Sequence, residues 1–356
     1  MQIAALLIAS GLAVAAQPEA QPASLPASLP TSLPASQPTS APGLPTWSEF
    51  EQKHVMDCML SPALRTQRVE RRVRDQLYSL EGGRLTRLQP VRPRLVVGVL
   101  SAIKESDEET KVNLKRAYRA FARAKVDVIV ANGDVALDEF DLEKVFDLLG
   151  GSELPVLVLP GNHESRAAFN RSFVAAEARH PNLFNMLWTR QATFGRFELL
   201  SMPGYYDRKF IPQSAGCHYK PEDFTDLGYL VEQLQSNGQI AVLVSHGPPQ
   251  TRGKFGIDLA HDAGNVGDPA MAAFIDVHRV RFGLFGHILE AGGRGVTDLA
   301  MAKPAKPKKK HRTLYVNAGA ASAMPWTMLG GRGARGLAMI VTFDPAGATY
   351  QVVKLR

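Results

Sequence analysis

Short apolar runs alternate with amphipathic stretches through the middle of the chain. Segments 95–100, 126–130 and 156–159 are largely apolar, as is typical of strands buried on both faces of a parallel sheet. Between them, segments 108–125 and 140–149 carry apolar side chains at helical spacing. Strands that alternate with helices in this way predict parallel βαβ units.

The second half of the chain continues with strands but is less regular. Its predicted elements are strands at 197–202, 240–244 and 282–285, a helix at 227–234, and antiparallel closing strands at 313–316, 337–343 and 349–353. The segment 203–223 is rich in Gly, Pro, Tyr and His and is predicted as a long loop. Two sheets sandwiched between helices would account for the whole pattern, so the predicted fold class is α/β.

The amino-terminal part of the chain differs from the rest in composition. Residues 3–16 are apolar but short for a membrane span, which takes about 20 residues, so residues 1–16 are predicted as a signal peptide or an uncleaved anchor. Residues 17–45 repeat Pro, Ala, Ser and Leu, which predicts an extended linker. Together these segments predict export to the periplasm, the cell surface or the extracellular space, with membrane contact only through an uncleaved anchor.

Residues 46–90 are predicted as a helical extension of the main domain, which spans 91–356. A capping-box pattern at Thr46–Glu49 begins a first helix, and Pro62 ends it. A second, Arg-rich helix is predicted over Ala63–Leu80. We expect both helices to pack beside the main domain.

Composition, charge and cysteine content limit the class of protein, its binding partners and its possible disulfide bonds. With 45% hydrophobic and 21% charged residues among 356, the chain has an ordinary globular profile. Its net charge of +7 comes partly from the basic run Lys303–Arg312, which we interpret as a solvated loop, with an anionic surface or nucleic acid as the alternative partner. No aromatic platform for base stacking accompanies the run, so nucleic acid is not expected. Cys58 and Cys217 could form one disulfide or remain two buried thiols.

Polar side chains come directly after four of the predicted strands. They are Asp134, Asn162 with His163, His246, and His287. Because the carboxyl ends of parallel strands meet at one edge of a sheet, we expect these side chains to lie close together. Imidazole, carboxylate and amide oxygen ligands suit Zn²⁺, Fe²⁺ or Mn²⁺. An ion bound there would lower the pKa of a bound water and hold a phosphoryl oxygen.

These motifs resemble those of the calcineurin-like metallophosphoesterase family. The matching runs, in the family's order, are Gly133-Asp134, Gly161-Asn162-His163-Glu164, Ser245-His246-Gly247 and Gly286-His287. The resemblance spans about 94–356. It implies an αββα sandwich, in which two mixed sheets are flanked by helices, with the site at the sheet edge. It also implies two neighbouring metals that share a bridging Asp and hold the hydroxide that attacks phosphorus.

The chain departs from the family pattern at three ligand positions. The family's first motif, Asp-x-His, reads Ala102 and Lys104 here, and the second His of its last motif is Leu289. The resemblance implies that all three missing ligands belong to one metal. It also implies that the second metal's ligands are all present: Asp134, Asn162, His246 and His287. The expected cofactor is therefore one divalent Mn, Fe or Zn ion.

Two functions of different classes follow from this pattern. The first is an exported phosphoesterase that hydrolyses a phosphate mono- or diester at a single-metal site. By the resemblance, His163 would be its catalytic residue, and Asn162 and His163 would contact the substrate. Lys104 could do so as well, placing an ammonium near the position of the lost metal. The alternative for Lys104 is a solvated loop lysine.

The second function is that of a catalytically inactive relative. Such a protein would use the old cleft to bind a phosphorylated ligand or a protein partner. In either case the segment 204–223 is expected to border the cleft. The residues there that could contact a phosphate or its ester are Tyr205, Tyr206, Arg208, Lys209 and His218.

Overall fold

A computed structural model describes residues 53–59, 68–90, 92–212 and 215–356. The predictions for 1–16 and 17–45 lie outside the described residues. So does most of the first predicted helix, of which only 53–59 is described. There, Lys53 is helical and a turn follows, in which the N–H of Asp57 donates to the carbonyl of His54 (3.0 Å).

The described segments contain five complete α-helices, two short 3-10 helices and twenty strands. The helices are α1 (Glu108–Ala124), α2 (Glu139–Gly150), α3 (Arg166–Arg179), α4 (Asp223–Ser236) and α5 (Pro269–Val277), with 3-10 turns at Arg208–Phe210 and Leu289–Ala291. None of these helices combines the length and the hydrophobicity that crossing a membrane requires.

The strands are numbered along the chain. They are β1 (Val69–Val73), β2 (Gln76–Glu81), β3 (Arg84–Arg87), β4 (Leu95–Leu100), β5 (Val128–Asn132), β6 (Val156–Leu159), β7 (Leu183–Asn185), β8 (Gln191–Phe194), β9 (Phe197–Met202), β10 (Ile240–Ser245), β11 (Leu259–Ala260), β12 (Gly264–Asn265), β13 (Phe282–Phe285), β14 (Gly295–Asp298), β15 (Lys303–Pro304), β16 (Leu314–Asn317), β17 (Trp326–Thr327), β18 (Gly333–Ala334), β19 (Leu337–Asp344) and β20 (Gly347–Lys354). Strands β4, β6, β9 and β13 begin and end where the apolar pattern predicts.

A six-stranded sheet contains the predicted βαβ units. Its order is β20-β19-β4-β5-β6-β7, and the four strands from β4 to β7 are parallel. Helices α1, α2 and α3 make the crossovers, as the alternation of elements predicts. Strands β19 and β20 form an antiparallel hairpin beside β4, which confirms the prediction for these two closing strands.

The second sheet has ten strands in the order β1-β2-β3-β8-β9-β10-β13-β16-β14-β15. Its central strands β9, β10, β13 and β16 are parallel. The prediction that segment 313–316 closes the fold as an antiparallel strand is therefore wrong for its pairing with β13. Strand β16 is antiparallel only to β14, because the chain runs back through β14 between the parallel strands β13 and β16.

The two sheets pack face to face, and helices cover both outer faces. The core between the sheets joins Val97 of β4 to Leu199 of β9 and Val244 of β10. A second core packs the six-stranded sheet against α1, α2 and α3. A third packs the ten-stranded sheet against α4 and α5. This confirms the αββα sandwich, and burial of these apolar surfaces supplies the main stabilisation.

The predicted helical extension at 46–90 is wrong in its described second part. Residues 69–87 form an antiparallel meander that extends the ten-stranded sheet through β3 and β8. Two-residue hairpin loops at Arg74-Asp75 and Gly82-Gly83 explain the difference, because Arg74, Gly82 and Gly83 all take positive φ (55°, 57° and 69°). Side chains between the turns alternate, with Tyr78 and Leu80 buried in the core between the sheets.

Candidate metal centre

Four turns at one edge of the sandwich carry the side chains predicted as ligands. Asp134 follows β5, Asn162 follows β6, His246 follows β10 and His287 follows β13. The two sheets meet at this edge, where the Nδ2 of Asn132 donates to the carbonyl of Leu284 (3.2 Å). The strand ends of both sheets therefore lie together.

Backbone conformation lets these turns approach one another closely. Asp134 and His287 take φ values of 50° and 66°, which Asp and His adopt more readily than most residues. A Cβ at Gly133 would lie 2.2 Å from Nδ1 of His246, and one at Gly161 would lie 2.3 Å from Oδ1 of Asp134. Glycine is thus required beside the candidate ligands.

The imidazole of His246 lies at the centre of the cluster and is fully buried. Its Nδ1 donates to the carbonyl of Asn132 (3.1 Å), so Nε2 of the neutral ring carries the lone pair. That Nε2 lies 3.0 Å from Oδ1 of Asn162, 3.0 Å from Nδ1 of His287 and 3.2 Å from Oδ1 of Asp134. Ligating atoms of all four predicted side chains therefore converge.

Neighbouring groups hold the ligands in place. The Nδ2 of Asn162 donates to the carbonyl of Phe210 (2.7 Å), which leaves Oδ1 facing His246. Glu164 is buried and joins two ligand turns, since its carboxylate accepts hydrogen bonds from the N–H groups of Gly161 (2.7 Å) and Val135. Metal sites depend on such supporting contacts for ligand orientation.

Burial and mutual charge set the ionisation of the cluster. Burial would raise the pKa of Asp134, but His246 and His287 lower it below its usual value. Burial would likewise lower the pKa of His246, but Asp134 raises it above the usual range. For His287, burial and His246 lower the pKa to about 3. Burial and Asp134 raise the pKa of Glu164 to about 7.

The donor set fits a divalent cation. Asp134, His246 and His287 offer ligand atoms within 4.8 Å of one another. The buried Oδ1 of Asp134 has no hydrogen-bond donor among the described residues, although Nε2 of His246 is close to it. An unsatisfied buried oxygen beside two imidazole nitrogens and an amide oxygen is the environment that a transition metal stabilises. These residues would hold such an ion.

The family model for calcineurin-like phosphoesterases matches residues 108–291, which is more than half of the chain. The chain belongs to the calcineurin-like phosphoesterase family. Members of this family are generally hydrolases that bind divalent metals and act on phosphate esters. No curated protein matches the chain.

The chain is also similar to solved structures at low identity. TT1561 of Thermus thermophilus is 15% identical with a TM-score of 0.50, over 75% of this chain and all (100%) of that one. A dimetal phosphatase of Danio rerio is 12% identical with a TM-score of 0.48, over 75% and 100% of the two chains. Purple acid phosphatase PPD1 of yellow lupin is 10% identical with a TM-score of 0.48, over 79% and 57%.

Two other predicted site residues of this phosphoesterase-family chain lie beside the ligands. His163 follows Asn162 directly, has an exposed side chain, and affects the pKa of both Asp134 and His287 through its charge. Lys104 is half-buried, and its positive charge contributes to lowering the pKa of His287. The ammonium of Lys104 is thus within electrostatic range of the cluster rather than turned fully to solvent.

The turns that the resemblance assigns to a first metal carry no ligating side chains here. Ala102 is fully buried, and its N–H donates to the carbonyl of Gly133 (3.0 Å). The N–H of Lys104 donates to the carbonyl of Asp134 (3.2 Å). Leu289 begins a 3-10 turn two residues after His287. The backbone of this half of the site is therefore in place although its ligating side chains are not.

The segment 204–223 borders the site, as predicted. Its described part reaches Asn162 through the carbonyl of Phe210, and the ring of Tyr205 packs on that of His287 with centroids 4.2 Å apart. A disulfide joins Cys58 to Cys217, which settles the pairing that the sequence leaves open. The N–H of Tyr205 donates to the carbonyl of Cys217 (3.0 Å), so the disulfide lies at the base of this loop.

The other polar residues predicted in this loop lie farther from the ligand cluster. The hydroxyl of Tyr206 donates to the carbonyl of Val266 (2.9 Å). His218 contacts the carbonyl of Tyr206 (2.9 Å), and the Nε of Arg208 donates to Nδ1 of His218 (3.5 Å). Lys209 is exposed in the same turn. These residues hold the loop together at its outer side.

Sequence reasoning missed the residues that support the ligands. Phe210 acts through its backbone carbonyl, which no side-chain pattern reveals. Glu164 was part of the matched Gly161–Glu164 run, but its role depends on N–H groups of the preceding turn. Tyr205 is predicted from the sequence as a loop residue that could contact a phosphate, and only the fold places its ring against His287.

Proposed function

We propose that this protein is an exported, metal-dependent phosphoesterase that hydrolyses a phosphate mono- or diester at a single-metal site. The observation that carries the proposal is the convergence of three ligating side chains, Asp134, Asn162 and His287, on Nε2 of a fourth, His246, with Oδ1 of Asp134 unsatisfied. Membership of the calcineurin-like phosphoesterase family supports the reaction class.

Different residues of the chain would bind the metal and act on the phosphate ester. Asp134, Asn162, His246 and His287 would hold a divalent cation, which supplies charge to polarise a phosphoryl oxygen and to acidify water. Because Asp134 is the only anionic ligand, the site would keep a net positive charge towards an anionic ester. His163, exposed beside the cluster, would stabilise charge on the phosphoryl group or give a proton to the leaving oxygen.

Three features support one metal rather than two. Ala102 and Leu289 have no ligating atoms, and Lys104 carries a positive charge where the family places a ligand. Among the described residues, one cluster of three or more His, Cys, Asp or Glu side chains has metal-binding geometry, and it is that of Asp134, His246 and His287. The family match begins at residue 108, after the altered first turn.

Lys104 would replace part of the charge of the lost metal. Its ammonium contributes to lowering the pKa of His287, so it lies within electrostatic range of the cluster. An ammonium attracts a phosphoryl oxygen but cannot fix a hydroxide between two cations. We therefore expect slower hydrolysis than at a two-metal site.

Export is supported by features distant from the site. Residues 1–45 have the composition of a signal segment and linker. The Cys58–Cys217 disulfide agrees with an oxidising compartment, where such bonds persist.

The alternative is a catalytically inactive binding protein, and the absence of a ligating atom at the buried Ala102 supports this alternative as well. A cleft with one cation and Lys104 could hold a phosphorylated ligand without turning it over. Retention of His163 and of the full second set of ligands favours hydrolysis, since binding alone does not require a proton donor.

Turnover of an aryl phosphate and an aryl phosphodiester by the full chain loaded with Mn²⁺ tests the proposal. His163→Ala should lower kcat by about 10²- to 10⁴-fold, the usual contribution of a general acid, and leave the metal content unchanged. His246→Ala should lose both the activity and the bound metal. His261→Ala, at another exposed histidine, is the matched control. If activity is absent, or is unchanged in His163→Ala, the enzyme proposal is wrong.

A further inference from the structure

A row of aromatic rings leads from the metal centre to the protein surface. The centroid of the Tyr205 ring lies 4.2 Å from that of His287 and 6.2 Å from that of Phe210. Tyr205 is buried, at 1% exposure, whereas Phe210 is 56% exposed. We call these two residues the aromatic wall. Its outer member is one of eleven large apolar side chains that are exposed among the described residues.

The backbone of Phe210 is fixed relative to the ligands. Its carbonyl accepts from Nδ2 of Asn162 (2.7 Å), and its N–H donates to the carbonyl of Asp207 (3.1 Å). The side chain of Asp207 also accepts from the N–H of Lys209 (2.9 Å), which caps the 3-10 turn. The backbone of Phe210 is therefore held beside a ligand, and its ring packs edge-on against that of Tyr205.

A single exposed apolar side chain needs no functional explanation. Phe210 differs because its backbone binds one ligand, Asn162, and its ring meets the residue that packs on another, His287. An ester whose phosphoryl group sits on the cluster would extend its organic group outward past this ring.

We propose that Phe210 is a specificity-determining residue and that the substrate is a phosphate ester with an aromatic group next to the phosphate. The proposal rests on the phosphate-binding site of the proposed function but goes beyond it by naming the substrate class. Aromatic groups prefer offset or edge contacts with a ring, which Phe210 presents to the surface. The ring of Tyr205 supports it from behind.

Binding of phenylphosphonate and of methylphosphonate to the Mn²⁺-loaded full chain tests the proposal without requiring turnover. The wild type should bind phenylphosphonate about 3- to 10-fold more tightly, as expected for one ring contact. Phe210→Ala should abolish this preference, and Phe210→Leu should retain part of it. Because the substitution keeps the carbonyl that holds Asn162, it should weaken the binding of phenylphosphonate more than that of methylphosphonate.

Tyr229→Ala, which removes an exposed ring from α4, is the matched control and should keep the preference. The proposal is overturned if neither phosphonate binds, if the wild type shows no preference, or if Phe210→Ala weakens both ligands equally. A preference that depends on Phe210 in a chain that hydrolyses no ester would leave this inference standing and remove the proposed hydrolysis. Hydrolysis without a preference for phenylphosphonate would support the proposed hydrolysis and overturn this inference.

Discussion

The two halves of the strand-end cleft share a backbone but differ in chemistry. In one half, Asp134 and His287 take positive φ values of 50° and 66° and present ligating atoms to His246. In the other half, Ala102 and Lys104 take φ values of 45° and 71° and present none. Hydrogen bonds join the halves, because Ala102 and Lys104 donate to the carbonyls of Gly133 and Asp134.

The comparison shows that the shape of these turns does not depend on the metal ligands. A left-handed backbone costs an ordinary residue about 1–2 kcal/mol, and Asp or Asn less. Ala102 bears that cost without coordinating anything, so the packing of the sandwich edge must enforce the turn. The turn at Ala102 and Lys104 thus keeps its left-handed backbone without a ligating side chain.

Restoring the missing ligands should give the largest change in metal content and in the rate of hydrolysis. The variant Ala102→Asp/Lys104→His/Leu289→His places the family's ligand types on an unchanged backbone, and Asp suits the φ of position 102 better than Ala. We expect a second bound ion and hydrolysis faster by on the order of 10²- to 10³-fold. Metal analysis and kcat for an aryl phosphate would measure both effects.

The control for that variant is Ala102→Asn/Lys104→Gln/Leu289→Gln, which has similar volumes but weaker ligands. It should bind one ion. A restored variant that folds with an unchanged Tm yet still binds one ion would contradict the view that only side chains separate the two halves.

A smaller effect is expected from Lys104→Gln. Hydrogen bonds to charged groups contribute about 1.5–3 kcal/mol, so loss of the ammonium should weaken phosphate binding by about 10-fold or more while the affinity for Mn²⁺ is retained. Titration calorimetry with inorganic phosphate measures it. Lys308→Gln is a matched control, because Lys308 is an exposed lysine that also has positive φ (63°). Equal losses in the two variants would mean that Lys104 is a solvated lysine.

The smallest effect concerns pH. Asp134 raises the pKa of His246, whereas His287 has a pKa of about 3 and stays neutral across the usual range. Only one proton therefore competes with the metal, and affinity for Mn²⁺ should fall about tenfold per pH unit below the raised pKa of His246. Asp134→Asn should move the onset of this fall to lower pH. A fall of about two decades per unit would show that His287 titrates as well.

The sequence predicts the elements that surround the site better than those at the periphery. Strand β6 and the Gly161–Glu164 turn are evident because a short apolar run ends in a glycine and polar ligand types. The prediction of a helical extension is wrong because the strands of this segment depend on a distant partner. Val69, Arg71 and Val73 of β1 form one face of a strand only because the meander joins the sheet where β3 pairs with β8, more than a hundred residues away in the sequence. The hairpin pair Gly82-Gly83 was the available signal.

The sequence predicts the ligating side chains of the candidate site but not the backbone groups that support them. Asp134, Asn162, His246 and His287 lie together because each ends a strand of the same edge. The carbonyl of Phe210 and the three N–H groups that bind Glu164 belong to the backbone, whose position depends on the whole loop. The Cys58–Cys217 bond likewise needed the fold, since sequence spacing does not fix which thiols meet.

Metal content of the purified full chain tests the central claim most directly. After exchange into metal-free buffer, elemental analysis should find one tightly held transition ion per chain, and anomalous diffraction should locate it among Asp134, Asn162, His246 and His287. Two tightly held ions side by side in the wild-type chain, or one located beside Ala102 and Leu289 instead, would contradict the account.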